Sequence, residues 1–264
     1  MNKSRAKERS PLKESLLRLP GQSIDEQIQR LFNEKLLNYA LVALVFFLLA
    51  LVSWIQALTH SPLNPWLSSV AAILVIAYCA FRLRKTSREL KQLKLGREGE
   101  RAVAEQLDVL KRQGAIIFHD VVGDGFNLDH VVLSSRGVFV VETKTRTKPV
   151  KGSPSVTFDG NTVLINGLEP ERNPIAQVQA NAKWLAQTLR ASTGKEYHVR
   201  PVVLFPGWFV EPFPKGSSVW VLTPKALVSF IEHEPIHIKE EDLHLVAFHL
   251  ARYIKAHAQD LGSR

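Results

Sequence analysis

Two apolar stretches dominate the first third of the chain. Residues 39–58 read YALVALVFFLLALVSWIQAL, uncharged throughout, with Ser53 and Gln56 as the strongly polar side chains near one end. Twenty helical residues at about 1.5 Å each reach about 30 Å, the thickness of a bilayer's hydrocarbon layer. A buried core helix would keep a polar stripe, which this segment lacks. Residues 63–81, LNPWLSSVAAILVIAYCAF, are also uncharged. There Pro65 suits a helix's first turn, and Ser68 and Ser69 can bond back to the backbone. The pattern predicts a transmembrane helical hairpin with a tight turn over 59–62 and with Trp54 and Trp66 at the interfacial level beside it. In the arm ahead of it, Ser23 and Glu26 have capping-box spacing, which predicts a helix running from there towards the membrane.

From about residue 95 the texture becomes that of an α/β domain of about 170 residues, enough for one substantial core. Val103, Leu107 and Leu110 recur at helical spacing over 98–111. Strands are predicted over 115–119, 128–133 and 138–145, with a loop over 121–127 and a tight turn over 134–137. A second hairpin, 156–158 with 162–165, turns at Asp159-Gly160-Asn161. Asn173-Pro174 and Thr223-Pro224 each read as N-cap then proline, so helices are expected to start there, the first running to about 189. The apolar run 201–205 suits a central strand with Pro201 confined to its first residue, since proline cannot donate to the ladder. A short strand over 219–222 and an amphipathic helix over 240–256 complete the chain. The organisation is thus an arm (1–38), two membrane helices (39–81), a basic juxtamembrane linker (82–94) and a folded domain (95–264).

Charge sharpens this division. The chain of 264 residues has 34 Lys+Arg against 25 Asp+Glu, a net charge of +9. Of that, residues 1–38 contribute +3, 39–81 nothing, 82–94 +5, and the whole remainder +1. The basicity therefore sits on two flanks of an uncharged segment. Arg30 and Lys35 on one flank, with Arg82, Arg84, Lys85 and Arg88 on the other, place both termini in the cytoplasm by the positive-inside rule, at the inner membrane if the source is bacterial. The same cluster suits anionic lipid heads. The apolar run starts too late and is too long for a cleaved signal peptide. A single cysteine, Cys79, excludes a disulfide framework and any Cys-based zinc finger.

The stretch LDHVVLSSRGVFVVETKT carries the chemistry. If the turn centres on Ser135-Arg136, Ser134 pairs with Gly137 and Asp129 falls opposite Glu142, on the same face with Cβ atoms about 5 Å apart. Lys144, two residues on, shares that face. Two such carboxylates repel unless a cation sits between them, and Mg²⁺ accepts carboxylate oxygens plus waters. Lys144 can orient or help deprotonate a water there and stabilise charge developing on a phosphate. Spacing alone leaves an ordinary cross-strand acid–base cluster on a solvated face ahead, because E-x-K is a common tripeptide. His130 points to the opposite strand face and reads as structural.

Taken in order, Gly96-Arg97-Glu98-Gly99-Glu100, Asp129 after a glycine-containing loop, Val-Phe-Val-Val-Glu142-Thr-Lys144, and Asn173-Pro174 with Gln177 resemble the nuclease-related domain, NERD, of the PD-(D/E)xK nuclease superfamily. The resemblance covers about 93–210. It implies a restriction-endonuclease-like mixed sheet flanked by helices. It further implies that Asp129 and Glu142 are metal-binding acids, Lys144 the catalytic lysine, Glu100 an acid completing the site, and Gln177 a polar residue facing it. The superfamily's Pro-Asp pair is absent, since Leu128 precedes Asp129. The expected function is a membrane-anchored, cytoplasm-facing nuclease dependent on Mg²⁺ or Mn²⁺. DNA comes ahead of RNA as its substrate; the bilayer and a second copy of the chain are further partners. The alternative is a non-catalytic module that holds nucleic acid or protein at the membrane. The +1 charge of the domain supports nucleic-acid binding only through a local patch at Lys144, Arg146, Lys148 and Lys151.

Overall fold

The computed structural model describes residues 17–58, 65–123, 125–148 and 154–262, with side chains up to residue 257. The expected turn over 59–62 and Lys151 lie outside the described residues. Helix α1 (Gln22–Leu31), a π-helical turn (Phe32–Leu36) and α2 (Leu37–Leu58) follow one another without a break. Helix α3 (Pro65–Arg112) is 48 residues long. Both helical rods are long and apolar enough to cross a membrane. They lie side by side, with Leu44, Phe47 and Leu51 of α2 and Ile73, Leu74 and Phe81 of α3 exposed. Trp54 Nε1 donates to Ser69 Oγ at 2.9 Å, and the Trp54 and Trp66 rings meet edge to face. Both Ser68 and Ser69 donate to the Pro65 carbonyl. At the other end of the pair, Arg82 Nε donates to Tyr39 Oη at 2.9 Å.

The stretch 82–94, expected as a linker, is instead part of α3. Between Pro65 and Gly96 the sequence holds neither proline nor glycine, so nothing interrupts the helix between the apolar run and the expected helix over 98–111. The capping box also gives way. Helix α1 starts after Gly21, whose φ of 72° is left-handed, and among the described residues no side chain of the arm caps it. The cap comes from 97 residues away: Ser23 N–H donates to Asp120 Oδ2 at 2.8 Å.

The remaining elements are β1 (Ile116–Val122), β2 (Asn127–Ser134), β3 (Gly137–Thr143), β4 (Ser155–Phe158), β5 (Val163–Ile165), α4 (Pro174–Thr193), β6 (Val199–Leu204), β7 (Phe209–Val210), β8 (Trp220–Leu222), α5 (Pro224–His233) and α6 (Glu240–Gly262). They build a mixed α/β fold. Five strands form one sheet in the order β1-β2-β3-β6-β8, and β5-β4-β7 form a smaller one. The first three strands pair antiparallel; β3, β6 and β8 run parallel. Both N-cap–proline devices act as expected: Asn173 Oδ1 accepts from the N–H groups of Ile175 and Ala176, and Thr223 Oγ1 from that of Ala226.

Strand alternation sends side chains to two cores, one on each face of the large sheet. Val131, Leu133, Val138 and Val140 meet Val178, Leu185 and Leu189 of α4 and Val246 and Leu250 of α6. Val132, Phe139 and Val141 meet Val103, Leu107 and Leu110 of α3 and Leu227 and Ile231 of α5. Each fully buried aliphatic side chain contributes about 1.5–3 kcal/mol, so α3 is seated firmly over its last four turns.

Pro201 sits third in β6, not first. Leu204 C=O accepts from Lys144 N–H on the β3 side, and Phe205 N–H donates to Leu222 on the β8 side. By alternation the Pro201 nitrogen faces β8, whose pairing begins only at Val202. At that row β6 is still an edge, where a missing donor costs nothing.

Candidate active site

The β2–β3 hairpin has the expected register, with Ser134 opposite Gly137 and His130 opposite Val141. One step further, the Asp129 carboxylate reaches across and accepts from Thr143 N–H at 2.7 Å. Glu142 lies at the carboxyl end of β3, in register with Val203 of the parallel strand β6. It shares a face with Val138 and Val140, which directs it towards α4. Gln177 and Asn181, one helical turn apart on α4, both meet it: Gln177 Nε2 donates to Glu142 Oε1 at 2.7 Å and Asn181 Nδ2 to Oε2 at 3.4 Å. Lys144 Nζ closes the group, at 2.8 Å from both Glu142 Oε1 and Gln177 Oε1. The Asn173 cap fixes where α4 begins, and so where Gln177 stands.

Glu100 comes from α3 and is buried. Its approach depends on Gly99: a Cβ there would lie 1.7 Å from Thr145 Oγ1, so only glycine lets α3 come this close to the end of β3. All four expected groups (Glu100, Asp129, Glu142 with Lys144, and Gln177) therefore gather at one end of the large sheet.

The electrostatics follow from burial. Desolvation, then repulsion from Asp120 and Glu142, pushes Glu100 up to about 8, against a hydrogen bond from the Gly21 N–H. Burial, with the Glu142 and Glu100 charges, holds Asp129 well above the carboxylate range. Glu142 is raised by burial despite Lys144 and Gln177. One ammonium does not neutralise three such acids.

A pH dependence follows. A carboxyl raised on folding binds its proton more tightly folded than unfolded, so its stabilisation is complete below the unfolded value and is lost as pH rises through the folded one. His119, pushed down to about 4 by burial, has the opposite effect but only below its ordinary 6.5. In chelator, the unfolding temperature of the full chain is expected to fall between about pH 6.5 and 8 and to level off above that, and Glu100→Gln is expected to flatten the slope. A flat wild-type profile would show that Glu100 is not held protonated.

Several residues at the site went unrecognised in the sequence. Asp120 is buried with a left-handed φ of 51°, and the β1–β2 ladder skips the step where it would face Asp129. Arg18 Nε donates to Asp120 Oδ2 at 2.7 Å, Asn127 Nδ2 to Oδ1 at 3.1 Å, and Arg18 also bridges to Glu26. The arm, which offered no chemistry as sequence, thus seats Arg18, Gly21 and Ser23 against the acidic end of the sheet. These contacts span about a hundred residues, and no local pattern carries them. Asn181 was readable, since it lies four residues after Gln177 on a predicted helix. His130 faces away from Asp129, buried with its Nδ1 2.8 Å from that of His119.

Residues 95–206 match the family model of the nuclease-related domain, NERD. That stretch runs from the last five turns of α3 through β6, and it includes Glu100, Asp129, Glu142, Lys144 and Gln177. Neither a curated protein nor a solved structure matches the chain. Among the described residues, no three His, Cys, Asp or Glu side chains form a ready cage for a metal ion. Within residues 95–206 the donors that could hold one are the Asp129 and Glu142 carboxylates, with waters completing the shell. Mg²⁺ is ordinarily held by one or two carboxylates with several waters retained.

Proposed function

We propose that the NERD domain is a phosphodiester hydrolase of the PD-(D/E)xK type, with a restriction-endonuclease-like core, acting on nucleic acid beside a membrane. The observation that carries this reading is the meeting of Glu142, Lys144 and Gln177 within 2.8 Å of one another, on a sheet end that also holds half-buried Asp129 and buried Glu100. Asp129 and Glu142 would hold Mg²⁺ or Mn²⁺, which supplies Lewis-acid polarisation of the phosphate and a lowered pKa for a water. In the overall reaction water adds to phosphorus, one P–O ester bond breaks and the departing oxygen takes a proton. Lys144 presents a fixed positive charge to the phosphate as negative charge builds on it. Gln177 positions the ammonium by accepting from it, and the Thr143 N–H orients Asp129. Glu100, held near 8, can keep or release a proton at working pH.

The hairpin of α2 and α3 is read as the membrane anchor, with both termini cytoplasmic on the strength of Arg30, Lys35, Arg82, Arg84, Lys85 and Arg88. The test uses the full chain in detergent, because α3 is continuous and α1 reaches the site. Calorimetry with Mg²⁺ or Mn²⁺ is expected to show binding that Asp129→Ala and Glu142→Ala abolish, and labelled DNA and RNA are expected to be cut only by wild type. Loss of metal binding with and without nucleic acid would leave the non-catalytic module as the surviving reading.

A further inference from the structure

Helix α3 has two dissimilar faces over the stretch between its apolar run and the site. Tyr39, Lys35, Ile24, Asp25 and Gly21 meet it at Arg82, Glu89, Gly96, Arg97 and Glu100. These five positions share one side of the helix. Arg84, Arg88, Lys91 and Leu95 recur at i, i+4, i+7 and i+11, which places them within about 40° of one line on the opposite side. The three basic side chains are exposed, and among the described residues none forms an ion pair. Their line ends at a groove of about 480 Å³, to which Gln92 and Leu95 give the α3 wall. The other walls carry Lys144, Arg146 and Arg172, against a single acid, Glu171.

We propose that the exposed basic stripe of α3 is part of the substrate-binding surface: it carries the phosphate backbone of a nucleic acid into the groove beside Lys144, where Arg146 and Arg172 hold the phosphates flanking the one that is cut. This rests on the nuclease reading above and goes beyond it in naming the track. From Arg84 to Leu95 the helix rises about 16 Å. The stripe is continuous with the groove and held rigid by α3, whereas a signal for membrane topology alone would need no alignment with the groove.

The test measures binding of a fluorescent oligonucleotide by the full chain in phosphatidylcholine nanodiscs, in EDTA, across a salt series. The variants are Arg84→Gln/Arg88→Gln/Lys91→Gln and, as a control of equal charge, Lys225→Gln/Arg252→Gln/Lys255→Gln. The stripe variant is expected to bind on the order of 100-fold more weakly at about 0.1 M salt, with the slope of log affinity against log salt falling by about 2–3. The control is expected to stay near wild type. Equal losses in both variants, or none in the stripe variant, would overturn the track while leaving the nuclease reading intact if wild type still cuts. An effect seen only in discs of anionic lipid would assign the stripe to the membrane and overturn it too. A wild type that neither binds nor cuts nucleic acid would remove the nuclease reading itself.

Discussion

Lys144→Ala is expected to lower phosphodiester cleavage on the order of 10³-fold while Mg²⁺ binding persists. The ammonium sits 2.8 Å from Glu142 and from Gln177, so its place is fixed before substrate arrives. A preorganised charge of this kind acts on the transition state without having to reorganise, and removing such a group ordinarily costs 10²–10⁴-fold. Its loss also strips Glu142 of its cation, so the carboxyl should rise further and the activity profile should move to higher pH. Lys144→Arg is expected to recover little, because a planar guanidinium does not replace a point charge between two oxygens. Single-turnover cleavage over a pH series, with calorimetry for Mg²⁺, checks this. Unchanged turnover in Lys144→Ala would remove the assigned role.

Gly99→Ala is expected to disable the site from outside it. The added methyl would stand 1.7 Å from Thr145 Oγ1 and 2.9 Å from Thr145 Cβ, so either α3 retreats or the segment after β3 shifts. Overpacking of this kind costs about 1–3 kcal/mol. The displacement reaches Glu100 on one side and Lys144 on the other, and misplacement by about 1 Å can cost 10²-fold in rate. Thr145→Gly in the same chain removes the obstructing atoms and is expected to restore part of both stability and cleavage. Thermal unfolding and cleavage, measured on the single and double variants, decide the matter. Wild-type behaviour in Gly99→Ala would mean that α3 does not press on Thr145.

The hairpin register was legible because a tight turn at Ser134–Gly137 leaves one pairing that buries an apolar face on each side. The starts of α4 and α5 were legible because Asn173-Pro174 and Thr223-Pro224 carry their caps within a few residues. Pro201 misled, since the rule that bars proline from a sheet interior holds only where a neighbouring strand is present. The stretch 82–94 misled for a different reason. Its charge suggests a basic juxtamembrane linker, yet arginine and lysine are good helix formers and only one side of the rod has to be wet. Asp120 was the least accessible, because its partners Arg18 and Ser23 are set by tertiary contact alone.

The unbroken helix from Phe81 to Glu100 also acts as a measuring rod. Nineteen residues at about 1.5 Å hold the acidic end of the sheet about 28 Å from Phe81, the last residue of the uncharged apolar run. A flexible tether of thirteen residues would instead give a root-mean-square reach of about 20 Å in every direction and leave the domain free to turn. With α2 and α3 in a bilayer, the helix sets both a height and a heading. On the nuclease reading, the domain would then select by location, cutting strands that pass through one thin layer above the membrane and sparing those in the bulk of the cell.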